Sequence, residues 1–292
     1  MPLVRVDDDR GRPLTFPRPP QRVVSLVPSD TFTVAALGCA GALVGRTDWC
    51  IAPEDVVAKL PSVGGTKDPR LDDVCDLSPD LVIANQEENT RGDLEKLAQR
   101  GVRVYVGFPK RVADGLRHTA KLARIFGVDG DAAVRDLVKR GYDAVRDAEA
   151  HPPSVRPRVF CPIWLDPLMT VNAETFVSDV LALAGAENVF AARARRYPLA
   201  ADLRGAPAMD AEGRDTRYPR VSWEEVAERA PDLAVLPDEP YAFTDEDEAL
   251  FRAKLFTERE GRVVRVRGQD VTWYGAWSVG AIARVRAALA SR

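Results

Sequence analysis

Two histidines, four cysteines and two acidic pairs are the residues of this 292-residue chain whose types could do chemistry. A protein-held zinc or iron needs three or four His, Cys or carboxylate donors, and a catalytic triad needs a histidine beside a nucleophile. His118 and His151 are the whole supply. His118 falls mid-helix among apolar residues and His151 at a helix end, so packing or compensation of a helix dipole is expected of them rather than metal ligation. Cys39, Cys50, Cys75 and Cys161 show no CxxC spacing, which argues against a zinc knuckle or a redox pair and for four small, mostly buried thiols; a Cys39–Cys50 disulfide stays open. Glu87-Glu88 and Asp238-Glu239 could act as acid and base, yet no nucleophile with a plausible base accompanies them. Gly64-Gly65 is too short for a phosphate loop, and neither GxSxG nor a P-loop occurs. The acidic loops are therefore expected to hydrogen-bond a ligand or carry solvated charge, in a protein that is not an enzyme and uses no cofactor.

Aromatic residues offer the other chemistry. Three of the five tryptophans, Trp49, Trp164 and Trp273, fall where short apolar runs end. Flat side chains with a polar tip supply contact area to a large, partly apolar ligand at low entropy cost.

Strands must position these residues. Val23–Val27, Leu43–Thr47, Leu81–Asn85 and Val102–Gly107 are brief Val/Ile/Leu-rich runs that read as buried strands, with helices over Leu71–Leu77 and Arg91–Arg100 between them. The alternation then stops. A helix is expected over Val112–Phe126, closed by Gly127, and a second over residues 131–150, ended by His151-Pro152-Pro153. Strands return at Val159–Trp164, Leu233–Pro237 and Arg262–Val266, with helices over Thr175–Ala184, Trp223–Ala230 and Ser278–Leu289. The expected domains are an α/β lobe over 1–110, a helical connector over 111–153 and a second α/β lobe over 154–292.

The lobes read as copies of one another. Thr31-Phe32 and a helix ending Ala36-Leu37-Gly38 reappear as Thr175-Phe176 and Leu183-Ala184-Gly185, at offsets of 144 and 147. Leu77-Ser78-Pro79-Asp80-Leu81 reappears as Arg229-Ala230-Pro231-Asp232-Leu233, and Glu87-Glu88-Asn89 as Asp238-Glu239-Pro240, near an offset of 152. The fold class is thus α/β: two Rossmann-like lobes with mainly parallel sheets, joined by one long rigid helix, with a ligand cleft between the lobes lined by strand-exit loops. From the first lobe such loops bring Ser29, Asp30, Asp48, Trp49, Gly65, Thr66, Lys67, Glu87, Glu88, Asn89 and Phe108. The second brings Trp164, Tyr218, Asp238, Glu239, Tyr241, Phe243, Trp273 and Tyr274. The repeat also pairs Asp72 with Glu224, each at the start of a short helix, as dipole-favoured caps or as symmetric carboxylates for a two-fold partner carrying arginines.

Charge and hydropathy exclude other classes. Hydrophobic residues are 46%, charged residues 29% and the formal charge is −3, so no nucleic-acid partner is expected. No run of about 18 apolar residues occurs, hence no membrane insertion is expected. The start, Met-Pro-Leu-Val-Arg-Val, has no apolar h-region, so either a cytoplasmic protein or a removed signal is expected.

These residues resemble the class III, helical-backbone substrate-binding proteins of ABC importers, the cobalamin-binding branch above all. The resemblance is carried by Asp8-Asp9-Arg10-Gly11-Arg12, residues 20–29, Val44-Gly45-Arg46-Thr47-Asp48, Val63-Gly64-Gly65, residues 77–84, Tyr218-Pro219-Arg220-Val221-Ser222 and Trp273-Tyr274-Gly275. The chain departs from it in lacking a tryptophan near Gly64–Lys67 and in carrying Ala276-Trp277 where a Pro-Arg pair is expected. What the resemblance implies is a monomeric binding protein for a corrinoid, or next for haem or a ferric siderophore, that serves a membrane permease from the periplasm or cell surface. It implies that Tyr218 packs on the ligand and that Asp72 and Glu224 dock on permease arginines. A cytoplasmic chelate carrier and a chelate-processing enzyme are the alternatives.

Overall fold

The computed structural model describes residues 3–203, 205–257 and 259–291. They form two compact units, Met1–Asp143 with Tyr274–Val279, and Ala144–Trp273 with Gly280–Arg292. Each unit is an α/β lobe built on a four-stranded parallel sheet.

The first unit opens with an antiparallel hairpin of β1 (Val4–Asp7) and β2 (Pro13–Phe16), which lies ahead of the region where the sequence pattern becomes regular. There follow β3 (Val23–Ser25), α1 (Pro28–Ala36), β4 (Leu43–Arg46), α2 (Glu54–Val57), α3 (Leu71–Asp76), β5 (Leu81–Asn85), α4 (Arg91–Gln99), β6 (Val104–Gly107) and α5 (Val112–Phe126). The sheet order is β4-β3-β5-β6. All five residues of β5 are buried, because helices cover both faces of a parallel sheet, and that is why Leu81–Asn85 shows no polar alternation. Leu81 and Ile83 point into the cluster holding Leu122 and Ile125 of α5, while Val82 and Ala84 face Leu94 and Leu97 of α4. Gly127, at φ 72°, closes α5 in a left-handed turn that a side chain would strain.

Helix α6 (Ala132–Ala150) runs across the division between the units, whereas α5 belongs wholly to the first. The second unit contains β7 (Arg158–Phe160), β8 (Pro162–Trp164), β9 (Met169–Thr170), α7 (Phe176–Leu183), β10 (Glu187–Asn188), α8 (Leu199–Asp202), α9 (Trp223–Glu228), β11 (Leu233–Pro237), α10 (Asp245–Leu255), β12 (Arg262–Val266) and α11 (Gly268–Thr272), and α12 (Ser278–Ala290) ends in it. Its sheet order, β10-β7-β11-β12, repeats that of the first unit strand for strand. The stretch expected as one strand over Val159–Trp164 breaks after Phe160. Pro162 cannot donate to a central ladder, so β8 leaves the sheet and pairs antiparallel with β9.

The repeat has a mechanical meaning. Ser78 and Ala230 both adopt positive φ, 45° and 48°, and turn the chain into the following Pro-Asp. Asp80 then accepts the Gln21 and Arg22 amides at 2.9 and 3.1 Å, and Asp232 accepts the Arg158 amide at 2.8 Å. In each unit the aspartate before the third sheet strand clamps the beginning of the first. Thr175 caps α7 through the Ser178 amide, but its counterpart Thr31 lies inside α1, which starts earlier at Pro28.

All four cysteines are free thiols, so the bridge left open between Cys39 and Cys50 is not formed. Cys50 lies buried at 3.1 Å from the Thr31 hydroxyl, and burial pushes the Cys161 thiol up to about 12. Among the described residues no helix is long and apolar enough to cross a membrane.

Candidate functional site

Because β3, β4, β5 and β6 are parallel, the loops that follow them leave one end of the first sheet. Hydrogen bonds knit several of the candidates there into one assembly. Asn89 donates from Nδ2 to the Thr66 carbonyl at 2.8 Å, and Lys67 donates to the Glu87 carbonyl. Asn85 accepts the Glu87 amide on Oδ1 at 2.7 Å, and the Asp48 amide reaches the Gly64 carbonyl at 2.9 Å. Ser29 and Asn89 are buried, whereas Asp48 and Lys67 are exposed. A Cβ at Gly65 would meet the carboxylate end of the exposed Asp68 side chain, which would have to move aside. Trp49 stands in the open at 65% exposure, beside an equally bare Ile51. Phe108 lines a cavity of about 180 Å³ with Lys110, Arg117 and Lys121, and the Lys110 ammonium sits 5.1 Å above its ring.

Burial pushes the Glu88 carboxyl above its ordinary value, against the pull of Lys67 and of the Thr66 hydroxyl. A carboxyl whose pKa is raised on folding holds its proton more tightly in the native state, so it costs stability once the pH passes its unfolded value of about 4.3. Glu88→Gln is accordingly expected to raise the thermal midpoint at neutral pH and to leave it unchanged near about pH 3.5, where both states are protonated. Paired melting curves at the two pH values check this.

In the second unit Trp164, 43% exposed, meets Tyr241 edge-on at 5.4 Å, and Tyr241 packs on Phe243 at 4.7 Å. The Trp164 indole N–H donates to the Asp166 carbonyl at 3.0 Å, which holds the ring at the tip of the β8–β9 hairpin. Tyr218 is half-buried under the Arg217 guanidinium, 5.2 Å from its ring. Asp238 accepts the Gly268 amide at 2.6 Å, and Glu239 takes the Thr272 hydroxyl and, at 3.3 Å, the Gln269 amide. Between them the two carboxylates fasten both ends of α11 to the exit of β11. Trp273, in the second unit, and Tyr274, in the first, are 4% and 5% exposed.

His118 is the residue whose surroundings differ most from the sequence expectation. It is fully buried and its Nε2 lies 2.6 Å from Asp30 Oδ1, so it is neither packing alone nor a dipole partner but half of an internal Asp–His pair. The Tyr274 hydroxyl donates to the other oxygen, Asp30 Oδ2, at 2.8 Å and accepts from Asn85 Nδ2 at 3.1 Å. Burial, reinforced by the Asp30 charge, pushes the Tyr274 hydroxyl far above its ordinary value, so it stays a donor. Nothing local in the sequence announces this group: Asp30 and Tyr274 were read only as separate strand-exit candidates, and the structure places Asp30 in the first turn of α1. His151 keeps its expected place, with Nδ1 3.0 Å from Asp147 at the end of α6. Among the described residues no cluster of three or more His, Cys, Asp or Glu is placed to hold a metal ion.

Asp72 and Glu224 occupy the same place in their units, the second residue of the six-residue helices α3 and α9. Asp72 pairs with Arg100 at 2.6 Å with its side chain 86% exposed. The Ser222 hydroxyl holds the exposed Glu224 carboxyl below its ordinary value.

Comparisons with known proteins agree with this architecture. The family model described as periplasmic binding protein matches residues 23–249. The vitamin B12-binding protein of Yersinia pestis (strain Pestoides F) is 28% identical over 225 residues, 76% of this chain and 72% of that protein. The vitamin B12-binding protein of Vibrio vulnificus (strain CMCP6) is 28% identical over 188 residues, 62% of this chain, and the match spans 65% of that protein, just under two thirds. The crystal structure of the periplasmic vitamin B12 binding protein of Vibrio cholerae superposes with a TM-score of 0.72 at 21% identity, covering 94% of this chain and 98% of that one. The periplasmic heme-binding protein of Roseiflexus sp. RS-1, in apo form, gives 0.73 at 17% identity over 92% and 97%.

Proposed function

The chain belongs to the periplasmic binding protein family, and we propose that within it this protein is the substrate-binding component of an ABC importer for a large metal-chelate ligand. A corrinoid comes first, haem or a ferric siderophore next. The observation that carries the reading is the bare indole of Trp49 at the candidate loops of the first unit; Trp164, partly exposed at the end of β8, is a weaker candidate of the same kind in the second. Exposed tryptophans in loops that are otherwise tightly hydrogen-bonded suit stacking on a macrocycle, which supplies contact area without rearranging the scaffold. The relatives named as vitamin B12-binding proteins favour the corrinoid. Asp238 and Glu239 are engaged in holding α11, which leaves them poorly suited to moving protons on a substrate and supports binding without catalysis.

Spectral titration tests the reading. Quenching of tryptophan emission or a shift of the chelate absorption is expected with cobalamin, haem or a ferric siderophore at about 10 μM protein, since uptake requires a Kd well below that. Silence with all three overturns it.

Delivery to a permease gives Asp72 and Glu224 a role. We read them as the carboxylates that meet permease arginines, with the protein acting as a monomer outside the cytoplasmic membrane. An exposed pair such as Asp72–Arg100 is worth little by itself, so Asp72 can exchange its partner at small cost. The double change Asp72→Arg with Glu224→Arg is expected to abolish ligand-stimulated ATP hydrolysis by the cognate transporter in vesicles while the Kd for the chelate stays within about twofold. Weakened chelate binding would place these residues in the ligand site instead.

A further inference from the structure

The candidate ligand loop at residues 86–89 is tied to a segment nearly two hundred residues further along the chain. Asn85, fully buried at the end of β5, does two jobs with one amide. Its Oδ1 accepts the Glu87 amide at 2.7 Å and the Glu88 amide at 3.4 Å, shaping the turn, while its own backbone amide is held by Asn89 Oδ1 at 2.8 Å. Its Nδ2 donates 3.1 Å to the Tyr274 hydroxyl. That hydroxyl is aimed by Asp30, which takes its proton on Oδ2 at 2.8 Å and is itself oriented by His118 at 2.6 Å on Oδ1. The segment carrying Tyr274 is clamped into the first unit. Gly275 turns it at φ 78° with no room for a side chain beside Thr33, the Ala276 amide donates to Thr33 Oγ1 at 3.2 Å, and Trp277 meets Phe32 edge-on at 4.9 Å.

We propose that Tyr274 is a positioning residue for the ligand loop: its hydroxyl, aimed by Asp30, locks the Asn85 amide that in turn shapes the Glu87-Glu88-Asn89 turn. The ring of Tyr274 is buried and touches no ligand in this scheme. Its effect passes through an amide whose two ends are both occupied, and an unmet buried Nδ2 would cost enough to let the side chain swing away from the turn. The consequence for affinity rests on the chelate-binding reading above; the consequence for the loop does not.

Amide hydrogen exchange on the ligand-free protein tests the coupling. In Tyr274→Phe the Glu87 and Glu88 amides are expected to exchange about five- to tenfold faster, with the β1–β2 hairpin unchanged as an internal reference. Asn85→Ala should release the same amides, and Tyr274→Phe added to it should accelerate them no further, because the two act in series. Unchanged exchange in Tyr274→Phe, or full additivity in the double variant, overturns the proposal. Should a variant fail to fold, native-state exchange of the wild type in mild denaturant decides: the Glu87 and Ala276 amides open together with one free energy and one slope if the proposal holds, and independently if it does not. On ligand, Tyr274→Phe is expected to weaken chelate affinity about five- to tenfold, and an unchanged Kd alongside faster exchange would confine the coupling to the loop and overturn its role in binding.

Discussion

Arg193→Met is expected to destabilise the second unit by about 3–5 kcal/mol. The Arg193 side chain is 4% exposed and stands between two buried carboxylates, Asp202 at 3.0 Å and Glu225 at 2.9 Å. It also donates to the backbone carbonyls of Ala194, Asp202 and Arg220, so one guanidinium ties three separate points of the segment between β10 and α9. Methionine matches the volume but leaves Asp202 without a facing charge, and breaking a buried pair by removing one partner costs far more than the pair is worth intact. Lysine should restore little, because a single ammonium cannot serve two carboxylates and three carbonyls in fork geometry. The pH dependence has a definite sign. Burial pushes the Glu225 carboxyl up, but Arg193 and Arg229 outweigh it and hold the group below its ordinary value. A depressed carboxylate contributes stability that is present above its unfolded pKa of about 4.3 and lost as pH falls through the folded one. The gap between wild type and Arg193→Met, read by denaturant titration, is therefore expected to narrow on acidification below about pH 4.3. A gap that is small, or constant with pH, would contradict the argument.

The fold was legible in the sequence where burial on both faces of a sheet left its mark. The runs at 81–85 and 233–237 are strands at their expected bounds, because a central parallel strand is buried on both faces and needs a near-continuous apolar run; the edge strand at 262–266, Arg-Val-Val-Arg-Val, also keeps its expected bounds though it is only partly buried. The repeat was legible for a mechanical reason, since Pro79-Asp80 and Pro231-Asp232 begin a strand and clamp its neighbour in both units. The first-unit loops around Thr66 and Asn89 were likewise readable as strand exits, and hydrogen bonds join them. What the sequence hid was long-range pairing of polar side chains. Asp30 meets His118 across 88 positions and Tyr274 across 244, and no periodicity encodes a contact of that kind. For the same reason Tyr274 read as a strand-exit aromatic, when its hydroxyl is spent on Asp30 and Asn85 and its ring is buried. Arg193, which joins Ala194, Asp202, Arg220 and Glu225, was invisible among many other arginines for want of any local pattern.

Trp49→Ala is expected to weaken chelate binding by about 2–3 kcal/mol, roughly 30- to 150-fold in Kd, while moving the unfolding midpoint hardly at all. The two halves of that statement rest on one fact, the 65% exposure of the side chain. An indole that is mostly in water in the free protein contributes little to folding, and surface substitutions of this kind stay within about 0.5 kcal/mol. The same indole, if covered by a macrocycle, changes from hydrated to buried on binding, and tryptophans that do so are the residues that dominate interface energetics. Its base is firm: Cys50 beside it is buried against the Thr31 and Thr47 hydroxyls, at 3.1 and 3.2 Å, so little loop ordering is charged against the contact. Trp164 is a poorer probe, because its N–H and its ring also hold the hairpin tip, and its loss mixes scaffold with contact. Trp49→Phe should recover most of the affinity if stacking is the interaction, since a smaller ring still covers a macrocycle face. Calorimetric titration of the two variants against cobalamin and haem separates the cases: an unchanged Kd in Trp49→Ala removes this residue from the ligand site and with it the main support for a stacked macrocycle.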